Sequence, residues 1–84
     1  MHTLQQLKSG ELSSIEPAIT RLQLAENLTQ FPVEIFDLAD SLEVLDLSNN
    51  KLSSLPADFG RLQHLRILFL SNNQFGHVPS VLSD

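Results

Sequence analysis

The chain has 84 residues, room for one domain, with a net charge of −5 and no cysteine; disulfides, thiol chemistry and cysteine-ligated zinc are excluded, and stability must come from a small core. Its five basic residues, Lys8, Arg21, Lys51, Arg61 and Arg66, form no patch, which argues against nucleic acid and membrane as partners. The N-terminus lacks a charged-then-apolar signal profile, no run of about 18 apolar residues could span a bilayer, and the missing cysteine fits a cytoplasmic protein.

In chain order, the first predicted element is a short helix over residues 2–9. Thr3-Leu4-Gln5-Gln6 has capping-box spacing, with Thr at the N-cap and Gln at N3, and Gly10 supplies a helix stop. Residues 1–18 read as an N-terminal cap in which Leu4, Leu7, Leu12 and Ile15 cover the open core of the remaining chain.

From Ile19 onward the chain is repetitive. LEVLDLSNNKLSSLP, from Leu42, is matched 23 residues later by LRILFLSNNQFGHVP, from Leu65, with seven of fifteen positions identical. Stepping back by the same offset gives ITRLQLAENLTQFP, from Ile19, in which Leu28 and Phe31 come one position early. The units are 19–41, 42–64 and an incomplete 65–84. In each, the L-x-L core has the period of a short strand. The rest of the unit supplies the crossover that parallel strands require.

The shared form L-x-x-L-x-L-x-x-N-x-L-x-x-L-P resembles the leucine-rich repeat family, in its 23-residue type with Leu-Pro after the asparagine. The resemblance covers Ile19 to Asp84. The stretches QLKSGEL, FPVEIFDLADSLEVLDLS and LRILF further resemble the start of bacterial leucine-rich-repeat proteins in which a kinase-like domain follows. The implied fold is an α/β solenoid: short parallel strands on a concave face, irregular or 3-10 segments on the convex side, and a capping helix.

Within that frame the asparagines have a structural explanation. After each strand the chain turns inside a wall of leucine, where an unpaired backbone group costs about 1–3 kcal/mol. An inward asparagine amide offers donors and an acceptor, so Asn27, Asn50 and Asn73 are expected to form a buried ladder. Pro32, Pro56 and Pro79 stop the strands from continuing. Ile35 and Leu38, Phe59 and Leu62, and Leu82 are expected to close the core from the convex side.

Four signals resemble chemistry and are better explained otherwise. Asp58-Phe59-Gly60 spells the metal-binding triplet of protein kinases, without the Gly-rich loop, strand lysine or H-R-D loop that would accompany it. Asn27-Leu28-Thr29 is an N-glycosylation sequon whose asparagine is needed in the ladder. His2, His64 and His77 have no ligand spacing, and Asp37 and Asp40 face water. No catalytic group, metal ligand or cofactor is expected.

The outward strand positions fall into columns: Arg21, Val44 and Ile67; Gln23, Asp46 and Phe69; Ala25, Ser48 and Ser71. Packing does not require Val44, Ile67 and Phe69 to be apolar, and an apolar centre with a polar rim is interface anatomy. The sequence therefore points to a non-catalytic module that binds a protein through Arg21, Gln23, Val44, Asp46, Ser48, Ile67, Phe69 and Ser71. The competing reading is a structural capping segment of a longer repeat protein, with binding done elsewhere. At the C-terminal end no cap is evident, which suggests a fragment of a longer array, self-association through the exposed third repeat, or a disordered end.

Overall fold

The structure, a computed structural model, describes residues 2–76. Helix α1 spans Leu4–Lys8, inside the expected 2–9. The Thr3 hydroxyl accepts from the Gln6 backbone N–H at 3.1 Å, and the Gln6 side chain accepts from the Thr3 N–H at 3.0 Å. Both halves of the capping box are present, so two of the first-turn N–H groups have partners. Gly10 comes next at φ 83, a conformation open to glycine at no steric cost, and its N–H bonds the Leu7 carbonyl.

Strands β1 (Arg21–Gln23), β2 (Val44–Asp46) and β3 (Ile67–Phe69) pair in that order as a parallel sheet that does not close on itself. The register puts Arg21 opposite Val44 opposite Ile67, and Gln23 opposite Asp46 opposite Phe69. A 23-residue offset in sequence is thus a zero offset in register. The middle residues, Leu22, Leu45 and Leu68, point to the core. Leu22 and Leu45 have no exposed surface, and Leu68 is half-buried.

Behind the sheet, 3-10 turns at Val33–Leu38 and Phe59–Arg61 close the core. Ile35, Leu38, Phe59 and Leu62 are buried as their spacing implies, each worth about 1.5–3 kcal/mol. Phe36 is buried as well, and its ring lies 5.5 Å from that of Phe31. Phe31 in turn meets Phe59 edge-on at 5.7 Å, so aromatic packing links the first two crossovers. Arg61 caps the group with its guanidinium 4.4 Å from the Phe36 ring centre. Phe59 of the kinase-like triplet is therefore a core residue, and Asp58 beside it pairs with Arg61 at 3.4 Å.

In the N-terminal segment Leu7 and Leu12 are buried and Leu4 packs against the core. Ile15 departs from expectation: it is 39 % exposed and covers no core. It lies beyond the 3-10 turn Leu12–Ser14 in extended backbone, which carries the chain past the hydrophobic edge. Val78, Pro79 and Leu82, and His77 with them, lie outside the described residues.

The asparagine ladder is real at two positions and corrected at the third. Asn50 is buried. Its Oδ1 accepts from the Glu26 and Leu28 N–H groups at 3.0 Å, and its Nδ2 donates to the Leu24 and Leu47 carbonyls at 2.8 Å. A longer bond runs from Nδ2 to the Ser48 carbonyl at 3.4 Å, so one side chain serves five backbone groups in two successive repeats. Asn73 repeats the pattern. It accepts from Leu52 at 3.0 Å and donates to Leu47 and Leu70 at 2.9 and 3.1 Å.

Asn27 does neither. It is exposed at φ 57, and its side chain makes no hydrogen bond among the described residues. The first turn is one residue short, and the shortening falls before Asn27 rather than after it. Glu26 takes the vacated rung: its carboxylate accepts from the Leu4 N–H, as Asn50 accepts from Leu28 and Asn73 from Leu52. Where the neighbour is a helix N-terminus with only N–H groups to satisfy, an acceptor suffices and no amide donor is needed.

Candidate functional site

The crossovers, and with them the buried face of the sheet, lie on one side, so the outward side chains of β1, β2 and β3 have nothing built over them among the described residues. The burial pattern along the strands alternates accordingly: Arg21 and Gln23 exposed about buried Leu22, Val44 and Asp46 half-buried about Leu45, Ile67 and Phe69 exposed about Leu68. Parallel neighbours stand about 4.8 Å apart, so each row of three is continuous. Ile67 is 46 % and Phe69 44 % exposed, two of the four large hydrophobic side chains that stay in water among the described residues. Val44 lies between Arg21 and Ile67, which carries the apolar surface inward from β3.

Polar groups rim this surface. Asp46 accepts from the Ser48 N–H at 2.9 Å, which fixes its carboxylate at the end of β2. Arg66 pairs with Glu43 at 3.8 Å ahead of β2 and β3, both largely exposed, so the pair contributes little to stability. Ser48 is half-buried and Ser71 exposed. Ser71 uses its carbonyl to take the Asn49 N–H at 2.9 Å. A hollow of about 250 Å³ opens among Arg21, Gln23, Val44, Asp46 and Phe69.

A larger hollow, about 410 Å³, lies between α1 and the first turn, from Leu4 and Lys8 to Glu34. Its margins are already joined by the Glu26–Leu4 hydrogen bond and by Lys8 paired with Glu34 at 3.8 Å. Attachment of the cap accounts for it.

Sequence reasoning missed a second asparagine contact on the surface. Asn49 and Asn72 both adopt positive φ, 64 and 58, and the Asn72 amide donates to Asn49 Oδ1 at 2.8 Å. The signal was present in the doubled Asn49-Asn50 and Asn72-Asn73, since asparagine tolerates the left-handed region better than most residues. Among the described residues no cluster of three His, Asp or Glu side chains could hold a metal, and His64 is exposed and isolated. No helix there is long and apolar enough to cross a membrane.

The family pattern described as leucine rich repeat matches residues 17–75. The chain belongs to the leucine-rich repeat family. Relatives of this repeat segment occur in very different proteins. It is 58% identical over 74 residues to leucine-rich repeat and WD repeat-containing protein 1 of Mus musculus, covering 88% of this chain and 11% of that protein. It is 45% identical over 53 residues to the probable serine/threonine-protein kinase roco9 of Dictyostelium discoideum, covering 63% of this chain and 2% of the relative. With tubulin-specific chaperone E of Bos taurus the identity is 40% over 68 residues, covering 74% of this chain and 13% of that protein. The chain thus spans 2 to 13% of the length of these three relatives. No solved structure matches it. Leucine-rich repeats are in general non-catalytic protein-interaction modules, and the roco9 match lies in a repeat portion of that protein.

Proposed function

We propose that the chain is a non-catalytic recognition module: a solenoid, with residues 1–18 as cap and 19–84 as repeats, that docks a protein on the concave, outward face of its strands. Arg21, Gln23, Val44, Asp46, Ser48, Ile67, Phe69 and Ser71 form the docking surface, with Ile67 and Phe69 as anchors. One observation carries the reading. Ile67 stands in register with Val44, and Phe69 lies two residues further along β3 in register with Asp46, on a sheet face that no other described element covers. Isolated surface hydrophobics need no explanation, but a contiguous group rimmed by polar residues marks an interaction site. Buried aromatic anchors carry much of the energy of such sites. The general role of leucine-rich repeats supports a protein as the partner.

The test separates binding from folding. Phe69→Ala removes a side chain that is nearly half in water, so the unfolding free energy should move by no more than about 0.5–1 kcal/mol. Affinity for a protein partner should fall by about tenfold or more, as for an interface anchor. Affinity unchanged in both Phe69→Ala and Ile67→Ala would remove this face from the function.

A further inference from the structure

The outward face is chemically asymmetric: a cation at β1, a carboxylate at β2 and apolar rings and branches at β3. Of the five basic residues, Lys8, Arg61 and Arg66 are engaged with Glu34, Asp58 and Glu43 at 3.8, 3.4 and 3.8 Å. Arg21 has no ion pair and no side-chain hydrogen bond among the described residues. Asp46 sits diagonally from it in the register, yet no ion pair joins them, and one Asp46 oxygen is committed to the Ser48 N–H. Arg21 is thus an unneutralised guanidinium at one wall of the 250 Å³ hollow, with Phe69 at the opposite wall.

The walls set the occupant's dimensions. Arg21 and Phe69 are two strands and two residues apart, so their Cα atoms are about 12 Å from each other at standard strand spacing and rise. Two side chains on the same face of an extended peptide are about 6.6 Å apart. One acidic and one apolar side chain so spaced fit between the walls, the acid on the Arg21 fork and the apolar group against Phe69 and Val44. A planar guanidinium is the side chain best suited to a carboxylate, which it grips with two parallel hydrogen bonds. The chain's overall charge of −5 does not exclude an acidic partner, because charges beyond about 8 Å are largely screened at physiological salt. Gln23 and the second Asp46 oxygen remain for the peptide's main chain.

We infer that the hollow between Arg21 and Phe69 recognises an extended protein segment carrying an acidic residue and an apolar residue two positions apart. This rests on the outward face being the docking surface. The test is selection of random seven-residue peptides, displayed on phage, against the full chain, with affinity then measured on the selected peptides made synthetically. The selected sequences should be enriched in Asp or Glu two positions from Leu, Ile or Phe. Arg21→Glu should weaken them by at least about tenfold, and selection on that variant should replace the acid by Lys or Arg. Arg21→Gln, which keeps much of the stem and removes the charge, should fall between the two and serves as second variant if charge reversal disturbs folding. A selection without acidic enrichment, or without any enrichment, overturns the inference, as does affinity indifferent to both Arg21 variants. If Phe69→Ala weakens the selected peptides and the Arg21 variants do not, the face stands and the acidic specificity falls. Indifference to all three removes both.

Discussion

Replacing Asn50 by Ala is expected to be among the most damaging single changes in the chain. The four shortest hydrogen bonds of the Asn50 side chain go to backbone: the N–H groups of Glu26 and Leu28, and the carbonyls of Leu24 and Leu47. Three of the four are buried and one is partly so. Alanine leaves the Glu26 and Leu28 N–H groups and the Leu24 carbonyl without that partner, while the Leu47 carbonyl keeps the Asn73 amide at 2.9 Å. At about 1 kcal/mol for each of these three orphaned groups, the low end of the usual range, the loss is about 3 kcal/mol. Total stability for a chain of this size is about 4–13 kcal/mol, so the variant forfeits a large share of it. The melting temperature should fall by about 12–24 °C. Asn27 is the internal control. It is exposed and unbonded at φ 57, so Asn27→Ala carries only the cost of a left-handed backbone, about 1 kcal/mol, and Asn27→Gly less. Urea unfolding monitored by far-ultraviolet circular dichroism gives each value. The reasoning is refuted if Asn50→Ala costs less than about 1 kcal/mol, or if Asn27→Ala costs as much as Asn50→Ala.

The same contacts set other outcomes. Glu26→Ala removes the acceptor for the Leu4 N–H; hydrogen exchange should speed up in Leu4–Lys8 while β2 amides keep their protection, and unchanged exchange in the helix would contradict its role as the front rung. Phe59→Ala opens a cavity beside Phe31 and should cost about 3–5 kcal/mol. Asp58→Ala, its exposed neighbour, should stay within about 0.5 kcal/mol. Calorimetric or denaturant titrations that reversed this order would restore the triplet as something other than core.

The features legible in the sequence were those fixed by period. The recurrence of leucine at every second position, Leu22 and Leu24, Leu45 and Leu47, Leu68 and Leu70, specifies one register, since a one-residue slip would turn each leucine into water. The 23-residue offset therefore predicted the strand partners, and with them which residues share the outward face. The back anchors Ile35, Leu38, Phe59 and Leu62 were legible for the same reason. Gaps were not. A turn one residue short can lose that residue on either side of Asn27, and both alignments keep the leucines in place. Only the hydrogen bonds distinguish them: Asn50 Oδ1 bonds the Glu26 and Leu28 N–H groups and leaves Asn27 between them facing water. Ile15 was misplaced because its apolar spacing continues that of Leu12, while the backbone beyond Ser14 has left the helical path. The hollow between Arg21 and Phe69 depends on which cations are already paired, and a pair such as Lys8 with Glu34 joins the cap to a crossover that periodicity does not connect.

The most direct test of the docking face is a nitrogen–proton correlation spectrum of the chain, titrated with a peptide selected on it. The account predicts that amide shifts concentrate in Arg21–Gln23, Val44–Asp46 and Ile67–Phe69, with residues 2–18 and the turn at Val33–Leu38 unmoved. Shifts centred instead on Leu4, Lys8 and Val33, beside the larger hollow, would contradict it.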